Sequence, residues 1–467
     1  MSLPGRIVTS ILAVTTLSLA LMAPALPAAA QRGDAIVLVR DAEIENAIRT
    51  MVAPILRAAN LDANAVEVHL VQDRRINAFV AGGQRIFLNT GLIMRTESAN
   101  QLLGVIAHEA GHIRGAHLVA LQEALRNATA QMILETILAG AAMAASSTNR
   151  RPDGYSGGGQ NPQNVPGPPG VPGAVRTLLS YTRGQEQQAD QAGVTFLERA
   201  GMSPRGMLEV MRMLQQQERI YVGSGADPYL RTHPMSSERI TFLEEAVARS
   251  RINTSDPPQY RELHARMVAK TLGYFEPQRA MQKYPQTDNS TAGRYGRAMA
   301  LFRLGQPQAA IAMADQLIRE NPRDPYFHEF KGDVLRESGQ PAAAVGAYSQ
   351  AVALLPRDAA LRFGLGQAQF YARQQVAATK TLEQVVQMEP TNVAAWDLLQ
   401  KAYDASGNTA MRDLAAAEYF YLQGHRSRAA FKAEAASRSL PRGTPAWLRA
   451  QDLKIAIDND RNDKSRR

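Results

Sequence analysis

The segment Gly104–His112 contains a His-Glu-x-x-His motif inside an apolar, helix-forming run. Residues four apart lie on one face of a helix, so His108 and His112 can present two imidazoles to one metal ion. Glu109 follows the first histidine and would point towards the open side of the metal, as the general base for a bound water. The motif indicates a zinc hydrolase, although it supplies two of the three protein ligands that a catalytic zinc needs. The alternative is a helix that carries two solvated or core histidines.

The missing ligand is expected on a second helix, which is predicted over residues 175–199. In that helix Glu186 and Asp190 are four residues apart and share one face. Glu186 can bind the metal, while Asp190 can accept a ring N–H from a ligand histidine. Such a pair alone is more typical of a solvated helix face, but its combination with the His-Glu motif favours a metal site.

The periodicity of the chain before the motif predicts the elements that position it. Apolar residues recur at helical spacing from about residue 41 to 59, and residues 65–71 alternate as in a half-buried strand, with His69 on the exposed face. Residues 77–80 and 85–89 predict a hairpin. One edge of this small sheet would border the metal cleft and bind an extended peptide as an added strand. A purely structural hairpin is the alternative.

The motif helix is expected to start at residues 97–100 and to run to about His117. His117 lies five residues past His112, about 140° further round a helix, which predicts a surface histidine. Residues 118–146 continue as an apolar helix, interpreted as core or as a helix that contacts another surface such as a membrane. Residues 149–173 are rich in Gly and Pro, which predicts a mobile loop, either a lid over the cleft or an insertion.

Four motifs in order resemble the gluzincin peptidases, the family that includes HtpX and the CAAX prenyl endopeptidases. The resemblance covers about residues 40–250 and depends on these motifs: Asn77-Ala78-Phe79 with Gly83 and Gly91-Leu92, His108-Glu109-x-x-His112, Arg183-x-x-Glu186-x-x-Ala189-Asp190, and Arg231-Thr232-His233-Pro234 with Arg239-Ile240. It implies one Zn²⁺ per chain, held by His108, His112 and Glu186, with Glu109 as the base.

Two departures from the family pattern bear on this resemblance. Thr182 stands where many relatives have Ser before the motif arginine, a change that leaves the site residues intact. The membrane-embedded helices of HtpX and the prenyl endopeptidases are not found in the sequence, so the soluble periplasmic branch of the family is the better match.

His233 precedes a predicted helix start, where a loop histidine can reach into a cleft. The resemblance places it near the metal in one of two roles. It would either stabilise the tetrahedral intermediate or occupy the fourth zinc position and exclude water, which would make the resting enzyme self-inhibited. A capping or surface residue is the third interpretation.

The C-terminal half is periodic, because Pro322, Pro356 and Pro390 recur every 34 residues, the tetratricopeptide spacing. In that register glycines fall at the turn inside each repeat and alanines in its second helix: Gly305, Gly339, Gly407, Ala310, Ala344 and Ala378. Stacked repeats present a concave surface that binds polypeptides. Helices that only brace the catalytic domain are the alternative.

These patterns predict a mainly α catalytic domain with a small β-sheet, of the α+β zincin-like class, followed by an all-α tetratricopeptide solenoid. The predicted boundaries are a signal peptide at residues 1–30, the metallopeptidase domain at 31–252, a helical linker at 253–290, the repeats at 291–445, and a C-terminal helix with a basic tail at 446–467.

The N-terminus has the features of an export signal: a positive charge at Arg6, an apolar stretch over residues 7–22 and small residues at 28–30. A transmembrane anchor is the alternative. The chain has no cysteine, which leaves histidine and carboxylate as the metal ligands. Its net charge of +9 is scattered along the sequence, which argues against a nucleic-acid partner. Together these features predict a periplasmic protein.

The predicted activity is hydrolysis of internal peptide bonds. Zinc would acidify its water and polarise the scissile carbonyl, while Glu109 would take the proton and pass it to the leaving amine. An exported gluzincin with such repeats resembles periplasmic peptidases of outer-membrane protein biogenesis, which implies stalled outer-membrane proteins and the barrel-assembly machinery as partners. The alternatives are a tetratricopeptide chaperone or adaptor with a plugged or structural metal site and, less favoured, a prenyl-type peptidase.

Overall fold

The structure, a computed structural model, describes residues 37–81, 83–117, 119, 173–220, 233, 236–252 and 256–465. Several predicted features lie outside the described residues. These are the export signal at 1–30, the apolar segment 120–146, the Gly- and Pro-rich segment up to residue 172, and Arg231, Thr232 and Pro234 of the fourth motif.

The N-terminal half combines a small sheet with helices, as the sequence predicts. Its elements in chain order are β1 (Leu38–Val39), α1 (Ala42–Ala58), β2 (Glu67–Val71), β3 (Ala78–Ala81), β4 (Arg85–Asn89), α2 (Thr90–Arg95), α3 (Ala99–Arg114), α4 (Gly173–Arg199), α5 (Arg205–Ile220) and α6 (Ser237–Arg249). The predicted helix near residues 41–59, the strand near 65–71 and the hairpin are all confirmed.

Helix α1 forms because its first turn is capped and one face is apolar. The side chain of Asp41 accepts a hydrogen bond from the N–H of Ile44 at 2.9 Å, which satisfies one of the free N–H groups of the helix start. The apolar stripe is almost completely buried: Ile44, Ile48, Met51, Val52 and Ile55. Burial contributes roughly 1.5–3 kcal/mol for each large side chain, so this stripe anchors α1 in the core of the N-terminal half.

The four strands form one sheet in the order β1-β2-β4-β3. Strands β2 and β4 are parallel, whereas β1 and β3 run antiparallel to their neighbours, and Val80 of β3 lies opposite Ile86 of β4. His69 of β2 stacks on Phe87 with ring centroids 5.1 Å apart, which agrees with its predicted role outside the metal site. Strand β3 is the edge next to α3, and no strand in the described part of the chain pairs with its outer side.

The C-terminal half consists of antiparallel helix pairs. Its helices are α7 (Pro258–Phe275), α8 (Pro277–Lys283), α9 (Thr291–Arg303), α10 (Pro307–Glu320), α11 (Pro325–Glu337), α12 (Pro341–Leu354), α13 (Ala359–Tyr371), α14 (Gln375–Met388), α15 (Val393–Ala405), α16 (Thr409–Leu422), α17 (Arg426–Ser439) and α18 (Pro445–Ser465). Ala310, Ala344 and Ala378 are fully buried between neighbouring helices, as the repeat register predicts. Among the described helices, none has both the length and the apolar character of a membrane span.

Buried ion pairs join the start of α1 to α7 and, through α7, to the start of α11. Lys270 of α7 is buried and its Nζ lies 2.8 Å from Asp41 Oδ2 and 3.3 Å from Glu43 Oε2. Arg266, one turn earlier, contacts Glu43 at 2.5 Å and Asp324 at 2.5 Å. Charged groups removed from water are costly to separate, so these contacts hold the two halves in one arrangement.

The turns inside the repeats share a left-handed residue at the same place. Gly305, Gly339 and Gly407 have φ values of 78°, 76° and 74°. Arg373 occupies the remaining equivalent position, 34 residues after Gly339 and 34 before Gly407, with φ of 60°. Its N–H bonds to Phe370 O and the next N–H to Gln369 O, which is the hydrogen-bond pattern that Gly339 and Gln340 make. The repeat therefore imposes on Arg373 a conformation that disfavours residues with a Cβ.

Replacing Arg373 with Gly should raise the free energy of unfolding by about 1 kcal/mol, because it removes the cost of a left-handed φ in a side-chain-bearing residue. Urea unfolding followed by circular dichroism measures the change.

Gly339→Arg is the matched opposite variant, since no atom lies within 4 Å of a Cβ built at that glycine. We expect it to lower the free energy of unfolding by a similar amount. A neutral or stabilising result for Gly339→Arg would show that the backbone of this turn carries no such constraint.

Candidate metal centre

Helices α3 and α4 bring the predicted site residues together because they pack unusually closely. Gly111 lies in the motif of α3, and a Cβ at this residue would be 2.8 Å from the carbonyl oxygen of Ala189 in α4. A side chain at this point would push the helices apart. The close approach places the carboxylates of α4 next to the histidines of α3, and it explains why the motif has glycine immediately before His112.

Four side chains converge with the geometry of a metal site. Nε2 of His108 lies 3.0 Å from Nε2 of His112 and 3.4 Å from Oε2 of Glu186, while Nε2 of His112 lies 3.2 Å from Oε1 of Glu186. Nδ1 of His233 lies 3.1 Å from Oε1 of Glu186 and 3.3 Å from Nε2 of His108. Ligand atoms of a tetrahedral zinc site are about 3.3 Å apart for bonds of 2.0–2.1 Å. The four residues therefore could hold one tetrahedral ion, and the assignment of His108, His112 and Glu186 as ligands stays a prediction.

In a neutral motif histidine, a hydrogen bond donated from Nδ1 leaves Nε2 without a hydrogen, so that Nε2 can bind a cation. Nδ1 of His108 lies 2.8 Å from Oδ1 of Asp190, which can only accept when ionised, so this Nδ1 donates. The Nε2 of neutral His108 then carries a lone pair, and it faces the Nε2 of His112 and the Glu186 carboxylate. Lone pairs that converge in a buried space repel one another unless a cation lies between them, which supports the assignment of a metal site.

The charges of the site also call for a cation. Glu109, Glu186 and Asp190 are buried carboxylates, and Arg239 is the buried guanidinium in contact with two of them. Its Nη1 lies 2.9 Å from Oε2 of Glu186, and its Nε lies 2.6 Å from Oδ2 of Asp190. Among the described residues, three carboxylates and one guanidinium sum to a net charge of −2 when the histidines are neutral, the form in which they can bind a metal. A divalent ion would neutralise this charge, and uncompensated charge in a buried site is costly.

The pKa values of the metal-free site show the same demand for positive charge, which a proton on His108 meets when no metal ion replaces it. Burial lowers the pKa of His108, but the hydrogen bonds to Asp190 and Glu186 outweigh it and raise the pKa to about 10. Burial raises the pKa of Glu186, yet the hydrogen bonds from His108, His112 and His233 bring it well below its usual range. Burial likewise raises the pKa of Asp190, but Arg239 and His108 bring it below the usual range. Both carboxylates thus stay ionised and favour a cation beside them.

Glu109 differs from the other two carboxylates because its oxygens have no hydrogen-bond partner among the described residues. The side chain is completely buried, and its Oε1 lies 3.5 Å from Nε2 of His233. An isolated buried carboxylate is unfavourable unless a cation or a ligand completes its surroundings. The predicted general base therefore lies beside the predicted metal site with its proton-accepting atoms available.

The prediction that His117 is a surface histidine is wrong. Helix α3 ends at Arg114, and Ala116 adopts a left-handed φ of 52°, which turns the chain back towards the helix. The His117 ring is buried, with its Nδ1 at 3.0 Å from Nδ1 of His112 and its Nε2 at 3.2 Å from Oε1 of Gln188. The angle of 140° assumed that the helix continued to residue 117, and it does not.

Sequence reasoning also gave no role to Arg239 and Gln188. Arg239 belongs to the fourth motif, but its contact with the two carboxylates of α4 is seen only once the helices are packed together. Gln188 shares the helix of Glu186, but nothing in its spacing distinguishes it from the neighbouring glutamines, Gln185 and Gln187.

Comparison with known proteins identifies two regions of the chain. Residues 40–247 match the family model described as Peptidase family M48. Residues 295–354 and 335–402 match two models described as Tetratricopeptide repeat.

Curated relatives are similar to parts of the chain. A protein of Yersinia pestis named beta-barrel assembly-enhancing protease is 25% identical over 315 residues, which cover 64% of this chain and 59% of that protein. The protein of the same name from Escherichia coli K12 is 24% identical over 310 residues, with the same coverage of both chains. A mitochondrial metalloendopeptidase of Arabidopsis thaliana is 26% identical over 189 residues, covering 40% of this chain and 33% of the relative. The chain thus spans less than two thirds of the length of these relatives.

Replacing Arg239 with Met should destabilise the metal-free protein by about 3–5 kcal/mol, because it leaves buried carboxylates without their cation. Urea unfolding in the presence of a chelator measures this loss.

Arg212→Met is the matched control, since Arg212 makes an exposed ion pair with Glu244 at 2.7 Å. Its loss should be below about 1 kcal/mol. Equal losses in the two variants would contradict the charge balance described for the site.

Proposed function

We propose that this protein is a zinc-dependent endopeptidase. The premise is that residues 40–247 match the model of Peptidase family M48 and precede tetratricopeptide repeats. The observation that carries the proposal is the convergence of His108, His112, Glu186 and His233 beside the buried carboxylate of Glu109. Nitrogen and oxygen donors in tetrahedral positions, with no cysteine in the chain, suit Zn²⁺.

In this proposal His108, His112 and Glu186 hold one zinc ion. When bound, zinc acidifies a water molecule and polarises the scissile carbonyl. Asp190 fixes the tautomer of His108 through the hydrogen bond at 2.8 Å, and Arg239 contacts both Glu186 and Asp190. The residues around the ion therefore hold its ligands in one orientation before substrate binds.

Glu109 acts as the general base and then as the general acid. Its oxygens are buried and have no hydrogen-bond partner in the described part of the chain, so they are available to accept a proton from the attacking water. The same carboxyl group then donates that proton to the amine that leaves the cleaved bond. No further titratable residue is needed for these two transfers.

The substrate main chain would bind along strand β3. This strand is the sheet edge next to α3, and no described strand pairs with its outer side. An extended peptide that adds to such an edge is held through its backbone N–H and C=O groups, with little dependence on its sequence. This mode suits a peptidase that acts on unfolded polypeptides.

His233 would occupy the fourth zinc position in the resting protein. Its Nδ1 lies as close to the other ligand atoms as they lie to one another, at 3.1 Å from Glu186 and 3.3 Å from His108. A histidine in this position excludes the attacking water, so the resting site would be self-inhibited. Stabilisation of the tetrahedral intermediate is the second candidate role, which requires His233 to leave the fourth position.

The clients would be outer-membrane β-barrel proteins. The support is the name of the curated relatives, beta-barrel assembly-enhancing protease, and the solenoid of repeats that follows the peptidase domain. We propose that the protein is exported to the periplasm by the signal at residues 1–30, and that the repeats at 291–445 bind stalled clients and the barrel-assembly machinery. The predicted domain boundaries, with the peptidase domain at 31–252 and the linker at 253–290, are part of this proposal.

A second candidate function follows from the position of His233. If this residue never leaves the fourth ligand position, the protein would serve as a tetratricopeptide chaperone or adaptor with a permanently plugged metal site. The two functions make opposite predictions for variants of Glu109 and His233.

Glu109→Gln should retain zinc and lose proteolysis, because the amide cannot accept the proton of the attacking water. We expect turnover to fall by roughly 10²–10⁴-fold. The measurement is cleavage of an unfolded outer-membrane protein, with zinc content determined on the same samples. Glu67→Gln, an exposed change on β2, is the control and should cleave like the wild type. Equal cleavage by Glu109→Gln and the wild type would exclude Glu109 as the base.

His233→Ala should increase proteolysis if His233 blocks the resting site, because the fourth position becomes open to water. Zinc content should remain near one ion per chain, since three ligands persist. The same cleavage assay distinguishes the roles: a lower rate would contradict the blocking role and favour a part in stabilising the intermediate. Cleavage by neither the wild type nor His233→Ala would favour the chaperone or adaptor.

A further inference from the structure

We propose that His117 is a positioning residue of the metal centre, and that it selects the tautomer in which His112 offers Nε2 to the ion. The proposal rests on the metal site proposed above and assigns a role to a side chain outside its four ligands. His117 and Gln188 form a neutral hydrogen-bond chain that ends on His112.

The direction of this chain follows from the groups at its far end. Oε1 of Gln188 is an amide oxygen that can only accept, and it lies 3.2 Å from Nε2 of His117, so this Nε2 carries the hydrogen and donates. In a neutral imidazole the other nitrogen is then an acceptor, and Nδ1 of His117 lies 3.0 Å from Nδ1 of His112. His112 therefore donates from Nδ1 and keeps a lone pair on Nε2.

The lone pair of His112 is on the atom that belongs to the metal cluster. Nε2 of His112 lies 3.0 Å from Nε2 of His108 and 3.2 Å from Oε1 of Glu186. The opposite tautomer would direct an N–H towards these atoms and could not bind a cation. The acceptor on His117 thus does for His112 what Asp190 does for His108.

Hydrogen bonds before and at His117 fix the position of its backbone. The N–H groups of Gly115 and Ala116 bond to carbonyl oxygens of α3, and the left-handed Ala116 then turns the chain. The side-chain amide of Gln185 in α4 donates to the carbonyl oxygen of His117 at 3.5 Å. The ring lies over Gly115, where a Cβ would be 2.2 Å from Nε2 of His117. Glycine is required at this position so that the ring can reach His112.

A neutral partner for His112 is consistent with the charge of the site. Asp190 already shares its negative charge between His108 and Arg239. A second carboxylate beside His112 would raise the net charge of the site from −2 to −3, more than one divalent ion neutralises. A histidine supported by an amide orients the ligand without adding charge.

The test compares metal binding by four variants of the full chain. His117→Phe removes the acceptor, whereas His117→Asn keeps an oxygen at the position of Nδ1. Gly115→Ala displaces the ring without changing any hydrogen-bonding group, and its φ of −76° allows alanine. Gly184→Ala is the matched control, because nothing lies within 4 Å of a Cβ at that glycine of α4.

Two measurements separate positioning from structure. The first is Zn²⁺ affinity by competition with a chromophoric chelator, and the second is the visible absorption spectrum of the Co²⁺-substituted protein, which reports ligand geometry. We expect His117→Phe and Gly115→Ala to lose about 10- to 100-fold in Zn²⁺ affinity, the usual effect of removing a ligand's hydrogen-bond partner, and to shift the Co²⁺ spectrum. His117→Asn should regain most of the affinity, and Gly184→Ala should match the wild type.

The outcomes distinguish this inference from the function on which it depends. Wild-type protein that binds neither Zn²⁺ nor Co²⁺ would overturn the metal centre itself. Wild-type affinity and spectrum in Gly115→Ala and His117→Phe would overturn the role of His117 alone. Equal losses in His117→Asn and His117→Phe would overturn the acceptor as the cause. If His117→Phe does not fold, the Zn²⁺ affinity and the Co²⁺ spectrum of Gly115→Ala test the role of His117. As a control, wild type and Gly115→Ala are unfolded after treatment with a chelator. Equal unfolding midpoints show that the variant has lost metal affinity and not stability.

Discussion

The burial of three carboxylates between α3 and α4 is the constraint on which the centre of this protein depends. Glu109, Glu186 and Asp190 lie where water does not solvate them, and Arg239 supplies one positive charge. The charge of −2 that remains among the described residues, when the histidines are neutral, favours a cation at this place. A neutral partner for His112 fits this balance, because His117 accepts the hydrogen bond of that ring without adding charge.

The same physics recurs where the two halves of the chain meet. Lys270 and Arg266 of α7 place their charges against Asp41 and Glu43 at the start of α1. That helix packs by its apolar stripe into the core that also holds α3. Helix α1 therefore contacts both the core that holds α3 and the helix that precedes the repeats.

Local sequence patterns predicted the elements accurately where a periodic pattern continued over a whole element or recurred in several repeats. Apolar spacing placed α1, alternation placed β2, and the interval of 34 residues placed the turns at Gly339 and Gly407. The prediction was wrong at His117, since a helical angle extrapolated past Arg114 ignores the turn that ends the helix. Turn geometry of this kind depends on the packing of Gly115 and on a partner in α4, neither of which leaves a periodic signal.

The sequence by itself determined which residues are candidates for the chemistry: His108, Glu109 and His112 share a helical spacing, and Glu186 on a second helix is the candidate for the third ligand. Only the tertiary structure decided how these residues are supported. Arg239 contacts both Glu186 and Asp190, and a hydrogen-bond chain runs from Gln188 through His117. Both arrangements join groups on different elements. These contacts depend on how α3, α4 and α6 pack against one another, which no single stretch of sequence encodes.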